Sequence, residues 1–202
     1  MATIQGQSGP QILQDGVNTT IRTGRTGELN SSDAHARFQE AVYRGSVFVA
    51  ANQSGGAITA LNATCTGLVL TNPAGSGKNL VIWEIGLGLS AAPAADSIIQ
   101  LAANVNTVAA AVTQSTPLTI RNALLGTSGT PVGLAASSVT LPAAPVAIAN
   151  LFQVTAASAI TPGAMIYACD GKFILTPGSA VSLSATSAAS GAGHIVWEEI
   201  LI

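Results

Sequence analysis

Charged side chains are scarce in this sequence of 202 residues, and their scarcity argues against several classes of protein. Asp, Glu, Lys and Arg together make up 8% of the residues, whereas a soluble domain usually has about 25%. The net charge is −2 and the sequence has no block of basic residues, so nothing predicts binding to a nucleic acid. Disordered chains combine high charge with low hydrophobicity, whereas the mean hydropathy here is +0.48. The composition therefore favours a folded domain.

Long apolar runs are missing too. A membrane-spanning helix needs about 18 or more consecutive apolar residues, and even the stretch 101–112 is interrupted by Asn104, Asn106 and Thr107. The first residues, MATIQGQSGPQ, contain neither a basic nor an apolar region, so they do not predict a secretion signal. We expect a protein that is made in the cytoplasm and has no membrane partner.

Histidine and cysteine are too few and too scattered to predict a reactive centre. A metal site needs clustered ligands, but His35, Cys65, Cys169 and His194 are far apart in the sequence. The G-x-S-x-G pattern of a nucleophilic serine does not occur either. We therefore predict no catalytic residue, no metal and no cofactor.

The two cysteines have two interpretations. A chain that is not secreted folds under reducing conditions, so two buried thiols are expected at Cys65 and Cys169. The alternative is a disulfide between these two residues, within one chain or between chains, formed after release into an oxidising exterior. The spacing alone does not show whether their Cα atoms lie within bonding distance.

One glycine-rich segment, Ala74–Lys78, matches part of a phosphate-binding loop. That motif needs a glycine five residues before the Gly-Lys pair and a Ser or Thr after it. The sequence has Asn72 and Asn79 at these positions. A strand rather than a helix is predicted to follow, so we interpret the segment as a turn.

The strongest pattern is the segment 65–89, in which two apolar runs flank that turn. Strand–turn–strand patterns of this kind predict a β-hairpin. The second run contains Val81–Ile85, VIWEI, which is echoed by Val196–Ile200, VWEEI. We expect the two copies to form central strands of one β core. A second echo, LVLTNPAGS against ILTPGS, predicts two similar strand–turn–strand units at 68–76 and 174–179.

The chain divides into an N-terminal part, 1–45, and a β domain, 46–202. Glycines and a proline punctuate residues 1–30, which predicts an extended arm. Ser31–Arg44 has the apolar period and the capping residues of one short helix, which Gly45 ends. Short apolar runs with Gly/Pro turns then predict an all-β fold, a jelly roll or β-sandwich. Its weaker strands are 97–101, 105–112 and 118–125, and 126–146 allows only short strands and turns.

Three glutamates, Glu84, Glu198 and Glu199, invite interpretation as paired acid and base groups. Adjacent residues of a strand point to opposite faces of a sheet. Glu198 and Glu199 are therefore expected on opposite faces, with at least one facing solvent or an interface.

The charges are unevenly distributed. Residues 1–45 hold half of the charged side chains, whereas Arg121 is the only one between Ser97 and Cys169. An uncharged surface is best hidden at a contact between subunits, which predicts a homo-oligomer. The alternative is a β protein kept soluble by Ser, Thr and Asn alone.

Parts of the sequence resemble small virion proteins of tailed bacteriophages. The resemblance runs loosely from about residue 20 to the end, and is strongest at 45–89 and 193–202. Its motifs are Gly45–Phe48 (GSVF), Thr66–Pro73 (TGLVLTNP), Gly75–Leu80 (GSGKNL) and Val196–Ile200 (VWEEI).

The resemblance implies a structural virion protein, of the kind that decorates and cements a capsid. Its partner would be the major capsid protein or another virion protein, its location the virion, and its oligomer a trimer. The arm would make the contact, through Arg22, Arg25, Glu28 and Phe38. One alternative is a tail, baseplate or head-fibre protein that adheres to host glycans, although 4% aromatic residues disfavours it. The other is a β-sandwich hydrolase or lyase, which would need a pocket joining His194 to Glu198 or Asp170.

Overall fold

The computed structural model describes residues 38–104, 113–127, 129–156 and 164–202, without the side chains of Thr113 and Ala164. Residues 41–202 form one compact unit; residues 1–40 are assigned to another, of which 38–40 are described. The predicted arm, the predicted helical residues 31–37 and the predicted strand 105–112 lie outside the described residues. The predicted domain boundary after residue 45 stays a prediction.

Most of the described chain belongs to two antiparallel sheets of six strands each. The first sheet contains β1 (Val47–Ala51), β2 (Gly56–Ile58), β4 (Lys78–Ala91), β7 (Ile120–Asn122), β10 (Ala164–Leu175) and β12 (Ala189–Leu201). The second contains β3 (Thr64–Asn72), β5 (Ser97–Asn104), β6 (Thr113–Pro117), β8 (Leu134–Thr140), β9 (Val146–Val154) and β11 (Ser179–Ala185). The all-β fold expected from the sequence is confirmed, and it is sandwich-like.

The strand orders are β10-β4-β12-β1-β7 in the first sheet and β6-β8-β3-β11-β5-β9 in the second. Strand β2 pairs with β12 beside this path. Strand β12, the last in the sequence, thus lies between β4 and β1 at the centre of its sheet. The expectation that the two Trp-Glu segments are central strands of one β core is confirmed, because β4 and β12 are interior strands of the first sheet. The structure also pairs them with each other.

One helix, α1 (Gln39–Tyr43), occurs in the described chain. It ends as the sequence predicts. Gly45 has a φ of +69°, its N–H donates to the carbonyl of Val42 at 2.9 Å, and the Ser46 N–H donates to that of Ala41 at 3.4 Å. A left-handed residue that closes the last turn in this way favours glycine.

The main core lies between the sheets. Its fully buried side chains come from both of them, including Ile82, Ile85 and Trp197 of the first sheet and Leu70, Ile99 and Leu101 of the second. A smaller cluster, Cys65, Val69, Val139, Leu141 and Ala180, is separate. Val69 and Ala180 directly neighbour the core residues Leu70 and Val181, so this cluster lies on the outer face of the second sheet. All seven residues of β11 are buried, including Ser182 and Ser184, which alternate with Val181, Leu183 and Ala185.

The predicted hairpin of residues 65–89 is wrong. Strand β3 pairs with β8 and β11 in the second sheet, whereas β4 pairs with β10 and β12 in the first. The turn at 73–77 therefore carries the chain from one sheet to the other. A turn of glycines, proline and asparagine fits either geometry, and consecutive buried residues on β3 remove the alternation that would have identified one sheet face.

The second echoed turn, between β10 and β11, also crosses between the sheets, and the two crossings touch. The amide nitrogen Nδ2 of Asn72 donates to the carbonyls of Lys78 and Leu175, each at 2.8 Å. The Gly178 N–H donates to the Asn72 carbonyl at 2.8 Å. Because Asn72 is fully buried, its side chain satisfies backbone groups that water does not reach.

The middle of the chain differs most from the prediction. The strand predicted at 118–125 is only Ile120–Asn122, and β6 ends just before it at Pro117. The segment 126–146, predicted to hold only short strands and turns, contains the seven-residue β8. Alanine and serine dominate β8, and these residues give little strand signal in isolation.

Two glycines on paired strands provide a test of this packing. A Cβ added at Gly191 would lie 2.5 Å from the backbone oxygen of Gly88, whereas a Cβ added at Gly88 would lie 3.9 Å from its nearest neighbour, the oxygen of Ala192. Gly191→Ala is therefore expected to lower the free energy of unfolding by about 1–3 kcal/mol. Gly88→Ala should be neutral or slightly stabilising, since alanine loses less backbone entropy. Chemical denaturation of both variants measures the difference, and equal effects would contradict the register of β4 and β12.

Candidate functional site

The residues predicted to contact a partner are mostly beyond the described structure. Arg22, Arg25 and Glu28 lie outside the described residues. Phe38 is the first described residue, and 37% of it is exposed. The proposed contacts of these four residues stay predictions.

Both cysteines are free and buried. Cys169 belongs to the core between the sheets, and Cys65 belongs to the cluster on the outer face of the second sheet, where its Sγ contacts the carbonyl oxygen of Asn62 at 3.0 Å. The structure therefore contains no disulfide between them within the chain. Burial raises the pKa of the Cys65 thiol, and burial raises that of Cys169 to about 11.

These thiols should be unreactive in the folded protein. The thiolate is the reacting species, and with pKa values above the usual range it is scarce at pH 8. We expect negligible labelling of the native protein by a thiol reagent at pH 8, and labelling of both cysteines in concentrated guanidinium without a reductant. Mass spectrometry of the labelled protein measures this. Unlabelled cysteines in the denatured protein would instead indicate a disulfide, within or between chains.

His194 forms the one His–carboxylate pair of the described residues. Its Nε2 lies 3.0 Å from Oε1 of Glu84, and both side chains are more than one-third exposed on the outer face of the first sheet. The imidazole lies over Gly86, where an added Cβ would collide with the ring. Glu198 instead accepts a hydrogen bond from Oγ of Ser46 at 3.2 Å. The pairing that the hydrolase alternative requires, His194 with Glu198 or Asp170, is not among the contacts that His194 makes.

Glu199 contacts several donor groups at once. Its Oε1 accepts hydrogen bonds from the N–H groups of Val132 and Gly133 at 2.9 and 3.0 Å, and from Nε1 of Trp197 at 3.4 Å. Its Oε2 lies 3.0 Å from Nζ of Lys78. Glu198 and Glu199 therefore face opposite sides of β12 as predicted, and Glu199 is inside. The arrangement ties the loop before β8 to the first sheet, so its role is structural.

Within the described ranges, no three His, Cys, Asp or Glu side chains lie close enough together to hold a metal ion. A cavity of about 280 Å³ opens beside β9 and β10. Most of the residues that line it are apolar, and Lys172 is the one charged residue in the lining. That volume is just below the roughly 300–1,000 Å³ of small-molecule sites.

The outer face of the first sheet carries accessible apolar side chains beside Glu84 and His194. Tyr167 and Phe173 of β10 pack on the core, so the residues next to them face outward. Ile166 and Ile174 are 56% and 54% exposed, and Ile200 on β12 is 45% exposed. Val81 of β4 pairs with Ile174 on one side and Glu198 on the other. The surface joining these side chains is the best candidate for a binding site on the described chain.

The sequence contained a signal for this surface that was missed. In β10, Ile166 and Ile174 sit next to the aromatic residues Tyr167 and Phe173. A strand that is apolar on both faces must bury both or leave one exposed. In the structure the face with Ile166 and Ile174 is accessible, and which face of a strand is covered is not visible in local sequence.

Comparison with protein-family models found no match, and comparisons with curated proteins and with solved structures found none either. Among the described residues, no helix has the length and apolar character needed to cross a membrane. The virion resemblance consequently stays a hypothesis that rests on the sequence motifs.

Proposed function

We propose that this protein is a structural component of a bacteriophage particle, which decorates and stabilises the capsid by binding capsid subunits without covalent bonds. The observation that carries the proposal is the set of exposed apolar side chains on the outer face of the first sheet, where Ile166, Ile174 and Ile200 are each about half exposed. Accessible apolar surface of this kind marks contacts with other proteins. The resemblance to virion proteins supplies the kind of particle.

The proposed mechanism is burial of apolar surface between the sandwich and its partner. Burial contributes about 25 cal/mol per Å², and interfaces of permanent assemblies exceed about 2,000 Å². Ser, Thr, Asn and Gln would add hydrogen bonds, and the arm would add contacts through Arg22, Arg25, Glu28 and Phe38. The hydrogen bonds of these uncharged side chains depend less on salt than ion pairs do. A homo-oligomer, with a trimer as the form that the resemblance implies, is part of the proposal.

Quantitative mass spectrometry of purified particles tests the assignment. The phage that encodes this protein should carry it in a fixed ratio to the major capsid protein. A fixed ratio to tail or baseplate proteins would support the adhesion alternative instead. Absence from the particle would overturn the virion assignment altogether.

A lysine substitution tests the proposed surface. Ile166→Lys should weaken binding to capsids about tenfold or more, because burying an isoleucine contributes about 1.5–3 kcal/mol. Its thermal midpoint should hardly change, since the side chain is exposed. Leu134→Lys is the matched control, because Leu134 is 41% exposed on the second sheet. Co-sedimentation with capsids measures both, and equal binding by the two variants would exclude the first sheet as the contact.

A further inference from the structure

The cavity beside β9 and β10 has an apolar inner end and opens to solvent at the other. Residues of both sheets line it, Lys172–Leu175 of β10 on one side and Ala103, Ile148 and Val181 on the other. Leu175 and Val181 are only 6% and 2% exposed, whereas Ile148 is 44% exposed. The cavity therefore runs from the interior between the sheets to the surface.

The inner part of the cavity offers little to a polar molecule. Two hydroxyl side chains, Thr176 and Ser179, belong to the lining, but the Ser179 hydroxyl already donates to the Thr176 carbonyl at 2.6 Å. Ala103 contributes only a methyl group, so space is left that protein interiors usually fill. A water needs two to four polar partners, which an apolar wall does not supply. An apolar group would fit this space better than water.

Lys172 places a positive charge where the cavity meets solvent. It is exposed and is the one charged residue of the lining. Within the described ranges it forms no ion pair, unlike Lys78, which lies 3.0 Å from Glu199. A lysine ammonium has three donors on a flexible stem, so it can reach an anionic group held at the opening.

We propose that this cavity binds a medium-chain aliphatic carboxylate, with its alkyl chain between the sheets and its carboxylate at Lys172. Small-molecule sites are mostly apolar, with a few polar groups that fix the orientation of the ligand. The volume of about 280 Å³ equals that of about nine waters. A ligand of about ten non-hydrogen atoms, such as octanoate, matches it. The inference concerns a small molecule and does not depend on the virion assignment.

The length of the alkyl chain provides the first test. Calorimetric titration of the full chain at neutral pH should show one octanoate bound per chain. From butanoate to octanoate the affinity should rise about fourfold for each added methylene, because each becomes buried. Longer carboxylates should gain little more, since their additional carbons extend into solvent.

The charge at the opening provides the second test. Lys172→Met keeps a flexible apolar stem and should weaken octanoate binding about two- to fivefold, as loss of an exposed ion pair does. It should leave the binding of 1-octanol, which has no charge, unchanged. Lys172→Arg should keep the affinity for octanoate. Arg121→Met is the matched control, because Arg121 is an exposed cation that lines a different cavity, and it should change neither ligand.

Several outcomes would overturn the inference. They are octanoate binding that is absent or does not saturate, an affinity that is independent of chain length, and a fourfold gain that continues well beyond octanoate. Equal octanoate binding by Lys172→Met and the wild type, or an equal loss in Arg121→Met, would also contradict it. Thermal midpoints without ligand establish that each variant is folded. None of these measurements involves the particle, so the two proposals can fail independently.

Discussion

Glu199→Ala is expected to lower the free energy of unfolding by about 3–5 kcal/mol, as removal of one member of a buried ion pair does. The Glu199 side chain is fully buried, whereas Lys78 is 28% exposed, so the lysine can turn toward water. Most of the loss should come from the Val132 and Gly133 N–H groups, which would be left without an acceptor. A typical domain has a free energy of unfolding of about 5–15 kcal/mol, so a loss of this size is a large fraction of it.

Two variants make the measurement specific. Glu198→Ala removes the neighbouring carboxylate, which accepts a hydrogen bond from the Ser46 hydroxyl. This change should lower the free energy of unfolding by about 1 kcal/mol or less. Glu199→Gln keeps an acceptor oxygen for the two N–H groups. Its loss of unfolding free energy should therefore lie between those of Glu199→Ala and Glu198→Ala. Urea denaturation of the three proteins gives the free energies. Similar losses for the two alanine variants would mean that Glu199 does not hold the loop before β8.

Trp197→Ala should also destabilise the protein by about 3–5 kcal/mol, since it leaves a large cavity. Trp197 is completely buried, and its ring centroid lies 6.1 Å from that of Phe48. Its Nε1 also contacts Glu199, so its removal weakens the same polar cluster. The two effects are coupled and should not add in a double variant.

The second tryptophan is the control. Trp83 is half-buried, and the register of β4 with both of its neighbours shifts around it. Trp83→Ala should therefore cost clearly less than Trp197→Ala, although the two residues occupy echoed motifs. Thermal and chemical denaturation of both variants measure this. Equal costs would contradict the placement of Trp197 in the core and Trp83 at the irregularity.

The echoed motifs show what could be predicted and what could not. Apolar runs with the same pattern correctly predicted that the segments around Trp83 and Trp197 are central strands of one sheet. The different burial of the two tryptophans depends on an irregularity in β4 that only its neighbours impose. The turn after Asn72 was recognised as a turn, but its direction depends on hydrogen bonds to Leu175 and Gly178. Those partners are a hundred residues away, so local pattern could not identify a crossing between sheets.

The candidate surface was harder to predict for a related reason. Alternation placed Glu198 and Glu199 on opposite faces, and the structure agrees. Which of them is inside depends on the N–H groups of Val132 and Gly133, in the segment where strand signals were weakest. Likewise, Ile166 is accessible because it lies on the outer face of the first sheet, opposite the face on which Tyr167 packs on the core. Position in a sheet is a property of the assembled fold and not of a short segment.

The central place of β12 has a kinetic consequence. Its partners β1, β2 and β4 all precede it by about a hundred residues or more, so β10-β4 and β1-β7 become one sheet only when residues 189–201 insert between them. Closing such long loops is slow, and folds dominated by distant pairings reach the native state in about milliseconds to seconds. Until that insertion, the apolar edges of β1 and β4 are open to other chains. The yield of folded protein should therefore fall at high protein concentration unless a chaperone is present, even though the folded state is stable.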